Sequence, residues 1–397
     1  MAGSRPLDGL RVLDLSSFIA GPYAASILGE FGAEVIKVEH PDGGEAGRRF
    51  GTATEIDNLS LFFQSENRNK FSITMNLKAA DDQAKLLELA RRSDVLVENF
   101  RPGTLERWNL GPETLHAVNR RLVILRVTGY GQTGPYKDRP GFARIAHAVG
   151  GLTHLAGMED GPPVTPGSSS LADYFSGMNG ALGILLAQRV AEKTGRGQVI
   201  DVSLFESTFR ILDETATAYA WNGKIRGREG RMTLQVCPHG HFQCGDGKWV
   251  AIACTSDRMW DRLARNVLDR ADLADRFPLT ADRLAERDLI DGVVEAFTMA
   301  NTMAEVVRLC TDGDVPCGAI NSIEDIFADP HFSARDAMVE VENPKLGPLT
   351  IPATFPRLSE TPGRIDGLGP ELGNWNARLD AMLADEAAIR CPTNEDD

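Results

Sequence analysis

With 397 residues and 42% hydrophobic side chains, the chain can bury a large core and has the length for two domains, or for one elaborated by an insertion. A formal charge of -14 speaks against nucleic acid and anionic membrane as partners, yet leaves room for a small anionic ligand in a local basic pocket. No run approaches the roughly 20 apolar residues of a membrane span, the N-terminus lacks a leader pattern, and six scattered cysteines (Cys237, Cys244, Cys254, Cys310, Cys317, Cys391) read as reduced thiols, so the expected location is the cytoplasm.

In chain order, "RVLDLSS" (11–17) is a β-type run, Pro22 sits where a helix begins, Gly32 follows its end, and "EVIKVEH" (34–40) is a second strand. That is a βαβ unit. The pattern recurs: a helix through "AADDQAKLLELARRS" leads into "DVLVENF" (94–100), and "RLVILRVTGYG" (121–131) adds a strand after "GPETLHAVN". Apolar runs of this length suit a parallel sheet covered on both faces, so the fold class is α/β, with a large Rossmann-like domain. The first turn, "DLSSFIAGPYAAS", has no glycine triplet, and neither a G-x-S-x-G elbow nor a Walker loop occurs, which argues against a bound dinucleotide, a serine hydrolase and a P-loop enzyme.

The stretch "SSSLADYFSGMNGALGILLA" (168–187) opens a helix that is apolar nearly all round and stops at Lys193-Thr194-Gly195, a C-terminal cap signal. Its left edge falls near Asp173. An aspartate there can be an N-cap, stabilising the helix by about 1 kcal/mol, or a carboxylate that does chemistry. The two roles are compatible, because a helix N-terminus favours the anion.

"GQVIDVSL" (197–204) returns to the sheet, and "WNGKIRGREGRM" (221–232) is polar, basic and glycine-rich, as a linker would be. Beyond it, "HGHFQC" and "KWVAIACTS" flank Gly245-Asp246-Gly247, a hairpin signal, and three helical stretches follow to about residue 312, which together make a smaller α+β domain. From residue 323 the chain turns proline-rich and extended, as a segment crossing back over the first domain would be. The resulting division is a large domain over 1–205, a linker over 206–232, a small domain over 233–325 and a return segment over 326–397. The acidic tail "NEDD" (394–397) is expected to be disordered. Within "CPHGHFQC", Cys237, His239, His241 and Cys244 are possible zinc ligands, but the first three alternate along a strand and the spacing fits no common finger, so no metal is expected.

Several ordered motifs then add a resemblance. "PLDGLRVLDLSSFIAGPYAASILGEFGAEVIKVEHP", "NRNKFSITMNLK", "DVLVENFRPGTLERWNLG", "GYGQTGPYKDRPGF", "DGPPV", "LADYFSGMNGALGILLA", "KTGRGQVIDVSLFES" and "ADPHFSAR" together resemble the class III CoA-transferases, the family of formyl-CoA:oxalate and carnitine CoA-transferases, to which α-methylacyl-CoA racemase is related. The resemblance implies an interlocked, ring-like homodimer, acyl-CoA and small organic acids as substrates, coenzyme A as the group carried, and no metal or redox cofactor. It also implies that Asp173, opening a "D-x-x-x-G" segment, attacks the thioester. For CoA it implies Ser17, Phe18 and Ile19 in the first turn, His40 after the second strand, Met75 and Lys78 in "TMNLK", Asn99 and Phe100 in "VENF", and Arg107 in "TLER".

Departures from the family pattern shape the expected specificity. The glycine-rich lid of formyl-CoA transferase corresponds here to "RMTLQVCPHGHFQC", so its protective role does not carry over. Aromatic positions that face oxalate with polar edges read Phe50, Phe62 and Phe142, which suits an acid with a hydrocarbon portion, and Arg48 or Arg49 beside Phe50 could pair the acceptor's free carboxylate. The expected activity is transfer of CoA between succinyl-CoA and another organic acid. Two alternatives stand beside it. A racemase of this family places a histidine base where Phe142 stands, with His147 five residues on; a non-catalytic CoA-binding subunit would have no use for Asp173.

Overall fold

The computed structural model describes residues 5–168 and 170–384, so the acidic tail and Cys391 lie outside the described residues. The chain divides into two compact units. One takes in the residues up to Thr153, Thr165–Lys224 and everything from Asp336 on; the other comprises His154–Val164 and Ile225–Arg335.

The first unit is built on six parallel strands, β1 (Arg11–Asp14), β2 (Glu34–Glu39), β3 (Lys70–Thr74), β4 (Val95–Glu98), β5 (Val123–Thr128) and β6 (Val199–Ser203), in the order β3-β2-β1-β4-β5-β6. Alternation along the strands divides the core. Val12, Val35, Val95, Val97, Val123 and Leu125 pack on one face against the helices Ala20–Glu30 and Leu171–Thr194. Leu13, Ile36, Ile73, Leu96 and Ile124 meet Leu86 and Leu89 of the helix Ala80–Arg91 on the other. These runs are apolar on both faces because both faces are covered.

The helices Ala20–Glu30 and Leu171–Thr194 approach closely. A Cβ at Gly177 would lie 2.8 Å from the Ala20 carbonyl oxygen, and one at Gly180 would lie 3.5 Å from the Ala24 Cβ, so the two helices run in parallel with little between them. The long helix ends as its sequence predicts, at Gly195 in the left-handed region (φ 69°). It is not buried all round, however: Met178, Leu182, Leu186 and Val190 form an exposed apolar stripe. Residues 206–232, expected as a linker, carry the end of one helix (Leu204–Phe209) and all of another (Thr215–Asn222) within the first unit, and the main stretch of the second unit starts at Ile225. The helix Thr215–Asn222 has no buried residue and stops at Gly223 in the left-handed region (φ 74°), and the basic, glycine-rich stretch after it is the part that is not helical.

The second unit holds β7 (His239–Gln243), β8 (Trp249–Ala253) and β9 (Cys317–Ala319) in one antiparallel sheet. The hairpin closes as expected, with Gln243 opposite Trp249 and Gly247 in the left-handed region (φ 79°). Where an extended crossing was expected, the second unit ends in two short helices, Ile323–Ala328 and Pro330–Ala334, and the first unit resumes with a hairpin of β10 (Met338–Asn343) and β11 (Gly347–Pro352). The extended part comes after the hairpin and fastens onto the edge of the first unit. Asn69 Nδ2 donates to Arg364 O at 2.6 Å, Ser72 N donates to Asn374 Oδ1 at 2.7 Å, and Trp375 stacks on Phe71 with ring centroids 3.6 Å apart. None of the described helices is long and apolar enough to cross a membrane.

Candidate active site

Strand order reverses between β1 and β4, and open α/β sheets bind ligands at the carboxyl ends of the strands flanking such a reversal. Here the two ends are tied together: Ser17 N donates to Asn99 Oδ1 at 2.9 Å, and Asn99 Nδ2 returns a bond to Ser17 O at 2.7 Å. Phe18 comes next in the left-handed region (φ 64°), a costly conformation for a non-glycine residue, and its N–H is held by Glu45 Oε2 at 3.0 Å. Gly21 lets the next helix start directly beneath, since a Cβ there would sit 2.4 Å from that of Ser16.

Under the turn lies a buried charge cluster. Asp14 accepts from Lys70 Nζ at 2.8 Å and Lys37 Nζ at 3.4 Å, and also from the Ser16 hydroxyl. Burial alone would push its carboxyl up, but the two ammonium groups outweigh that and hold it at about 2. Burial likewise brings Lys70 down to about 8 against the pull of Asp14. This cluster is closed on itself and fixes the turn.

Ser17, His40, Met75, Lys78 and Phe100, five positions drawn from four separate loops, line one cavity of about 220 Å³. Phe100 also lines a neighbouring cavity of about 130 Å³, together with Asn99, Arg101, Lys137, Arg139 and Phe142. Its three cations are functional candidates that the sequence reading missed; the signal was the pair of basic, proline-punctuated runs "NFRPG" and "YKDRPGF". Ile19 is buried in the core, and Arg107 is an exposed residue bonded to Thr104 Oγ1 at 2.8 Å, so neither lines these cavities.

The three phenylalanines expected in the acyl pocket are linked through Phe18. Its ring meets Phe50 edge-on at 6.1 Å and Phe142 at 6.2 Å, and Phe50 meets Phe62 at 5.0 Å. The geometry is the edge-to-face packing that aromatic quadrupoles prefer. Phe142 remains 67% exposed, and Phe18 and Phe50 are partly open, so the cluster presents an apolar surface. Arg48 does not face it as a free cation. Its guanidinium is buried, grips Glu39 through two bonds of 2.7 and 2.6 Å, and lies over the Phe63 ring, so the expectation of a carboxylate partner passes to Arg49. Arg49 is exposed and bonds the Gly43 carbonyl and Asn58 Oδ1.

Asp173 is not the helix cap. The helix starts at Leu171, its N-cap Ser170 makes no side-chain cap bond, and the amide of Ala172 donates instead to His147 Nε2 at 2.9 Å. Asp173 therefore sits in the first turn, one turn before Gly177. Since Gly177 meets Ala20 and the helices are parallel, this places Asp173 level with the turn after β1. Its carboxyl has no hydrogen-bond partner among the described residues, and burial pushes it up to about 7. A partly desolvated carboxylate without donors is a more reactive nucleophile than a capping one. His147 is itself buried, with its pKa lowered by burial and then by Arg144. With its Nε2 lone pair spent on the helix, it is not placed as a general base.

The zinc-ligand types of the second unit do not converge. Cys237 is buried against Asp291, His241 is exposed, and among the described residues no group of three or more possible ligands gathers.

The sequence signature of CoA-transferase family III matches residues 7–376. The chain is 52% identical over 385 residues to the succinyl-CoA–L-malate CoA-transferase alpha subunit of Chloroflexus aurantiacus, covering 96% of this chain and 90% of that one. It is 51% identical over 372 residues to the beta subunit from the same organism, covering 93% of this chain and 91% of its relative. Among solved structures, a CAIB/BAIF family protein from Brucella suis superposes with a TM-score of 0.85 at 31% identity, over 96% of this chain and all of that one. From its six-stranded parallel fold and these whole-length likenesses, the chain belongs to CoA-transferase family III.

Proposed function

We propose that the protein moves CoA from succinyl-CoA to a malate-like organic acid, with Asp173 as the covalent carrier. The observation that carries this reading is the unpartnered, half-buried Asp173 carboxyl, whose charge is disfavoured by desolvation, level with the turn after β1. An Asp173 oxygen attacks the thioester carbonyl and expels CoA thiolate, which leaves an aspartyl–succinyl anhydride. The thiolate attacks the aspartyl carbonyl, releases succinate and forms an aspartyl–CoA thioester. The acceptor carboxylate displaces the thiolate to give a second anhydride, and attack of the thiolate on the acceptor's carbonyl yields the new thioester and restores Asp173. Each step exchanges one acyl bond for another, so the bond energy is kept as long as water stays out.

In this reading CoA lies along the loops, against Ser17, His40, Met75, Lys78 and Phe100 at one cavity and the cations Arg101, Lys137 and Arg139 at the other, where phosphate oxygens would find donors. The Phe18–Phe50–Phe62–Phe142 cluster supports an acid with a hydrocarbon segment. An interlocked homodimer belongs to the same reading; the exposed stripe Met178, Leu182, Leu186 and Val190 supports a partner surface, and near-equal identity to an alpha and a beta subunit supports one chain serving both places. The test is mass spectrometry of the purified single chain quenched after mixing with succinyl-CoA alone. A succinyl or CoA adduct on the peptide carrying Asp173 is expected. An active enzyme with no trappable adduct there would remove the covalent mechanism, and an inactive chain would favour the subunit reading.

A further inference from the structure

The amide groups at the start of a helix have no partner within it, and each needs an acceptor from elsewhere. In the helix that carries Asp173 the usual supplier fails, since Ser170 gives no cap bond, and the Asp173 carboxylate does not fold back to replace it. The acceptor comes from the neighbouring helix Ala143–Val149, whose His147 receives the Ala172 N–H at Nε2, 2.9 Å away. This bond fixes the tautomer: Nε2 is bare and the proton sits on Nδ1, which is itself buried without a partner. A ring held in this way is neutral, and it grips the residue directly before Asp173.

We propose that His147 is the positioning residue for Asp173: by accepting the Ala172 amide it fixes the first turn of the long helix and so aims the carboxylate at the thioester carbonyl. The proposal rests on Asp173 being the nucleophile. Phe142 begins the same short helix and its ring meets Phe18, so one element sets both the carboxylate's supporting turn and one wall of the aromatic cluster. Small displacements of a reacting group are costly in rate, which gives a buried, single-bond anchor catalytic weight without contact to substrate.

The side-chain series that tests this uses reach. Glutamine places its amide oxygen at about the distance of Nε2, whereas asparagine places its own at about that of Nδ1. His147→Gln should therefore keep kcat close to wild type. His147→Asn should lower kcat at least about tenfold while KM for succinyl-CoA changes little, because the CoA-lining residues are untouched. The rate at which the adduct on Asp173 appears after mixing should fall in parallel, measured well below the melting temperature of each variant with circular dichroism confirming the fold. If asparagine and glutamine variants acylate Asp173 as fast as wild type, His147 is not a positioning residue. If the glutamine variant folds but is as slow as the asparagine one, the acceptor at Nε2 is not what matters, and the proposal falls. A wild-type enzyme that turns over without any Asp173 adduct defeats the nucleophile reading instead, so the two failures are distinct. Should the asparagine variant not fold, His147→Met offers the same loss of acceptor with the volume kept.

Discussion

Asp173 is held where its charge is disfavoured, and this gives one substitution two opposite readouts. Burial raises its folded-state pKa to about 7, well above the 3.8 of a free aspartate, so the folded protein binds the extra proton. Stability from this group is therefore present at low pH and is lost as pH climbs from the unfolded value through about 7. Asp173→Asn removes the ionisation, and above pH 7 it should stabilise the fold by up to a few kcal/mol while transfer falls by several orders of magnitude. Thermal melts from pH 5 to pH 8 check it: the gap between variant and wild type should widen as pH rises. A constant gap would mean that Asp173 does not titrate in this range. On the proposed mechanism, the wild-type rate should also rise with pH through about 7 as Asp173 loses its proton. In the acyl cluster, three phenylalanines offer no polar edge to a small diacid, so succinate-like or larger acids should outpace oxalate by at least about tenfold, roughly 1.4 kcal/mol in the transition state. A competition assay with both acids and one donor reads this directly, and faster transfer to oxalate would refute it.

At the scale of elements, glycines in two helices should answer the same substitution with opposite signs. Gly177 faces the Ala20 carbonyl oxygen, with a virtual Cβ only 2.8 Å away, and Tyr23 stands as close on the other side. Backbone cannot step aside cheaply, so Gly177→Ala should destabilise by about 1–3 kcal/mol despite its better helix propensity. Gly292, in the helix Arg287–Met299, has nothing within 4 Å, and Gly292→Ala should stabilise by about 0.5–1 kcal/mol. Denaturant midpoints separate the two, and matching signs would show that the close approach at Gly177 is not rigid. The reach of each contact along the chain decides which features are legible in the sequence. Strands β1, β2, β4, β5 and β6, the glycine stop at Gly195 and the Gly-Asp-Gly hairpin follow from local patterns, and so were legible; β3 (KFSIT), short and with a charged and a hydroxyl residue, was not read as a strand. The cap of the Asp173 helix was not, because its donor is satisfied by His147, a residue 25 positions away that no local rule connects to it. Arg48 was misread for the same reason: its partner Glu39 and its cover Phe63 are set by the fold of the β2 loop, and sequence shows only an arginine beside a phenylalanine.

At the scale of the whole molecule, the chain enters its second unit over His154–Val164, returns to the first, leaves it again after Lys224 and rejoins it at Asp336. The returning segment is fastened to the starting strands by side chains far apart in sequence: Asn69 to the backbone of Arg364 and Asp366, Asn374 to Ser72, and Trp375 stacked on Phe71. The first unit thus holds its own return segment by non-covalent fasteners, and the homodimer proposed above would thread one chain so closed through another. Two threaded loops cannot part by dilution alone; a fastener must open first, at the cost of unstacking and of buried hydrogen bonds. Differently tagged dimers mixed at low concentration should accordingly exchange subunits far more slowly than dimers held by a surface contact, and native mass spectrometry of the mixture would show parental species persisting for hours. Trp375→Ala, which removes the stack on Phe71 without touching Asp173 or the two cavities proposed for CoA, should speed that exchange while leaving transferase activity near wild type. Mixed dimers appearing within minutes for the wild-type protein would exclude the threaded arrangement. A Trp375→Ala protein that exchanges no faster than wild type would show that the return segment is not the clasp.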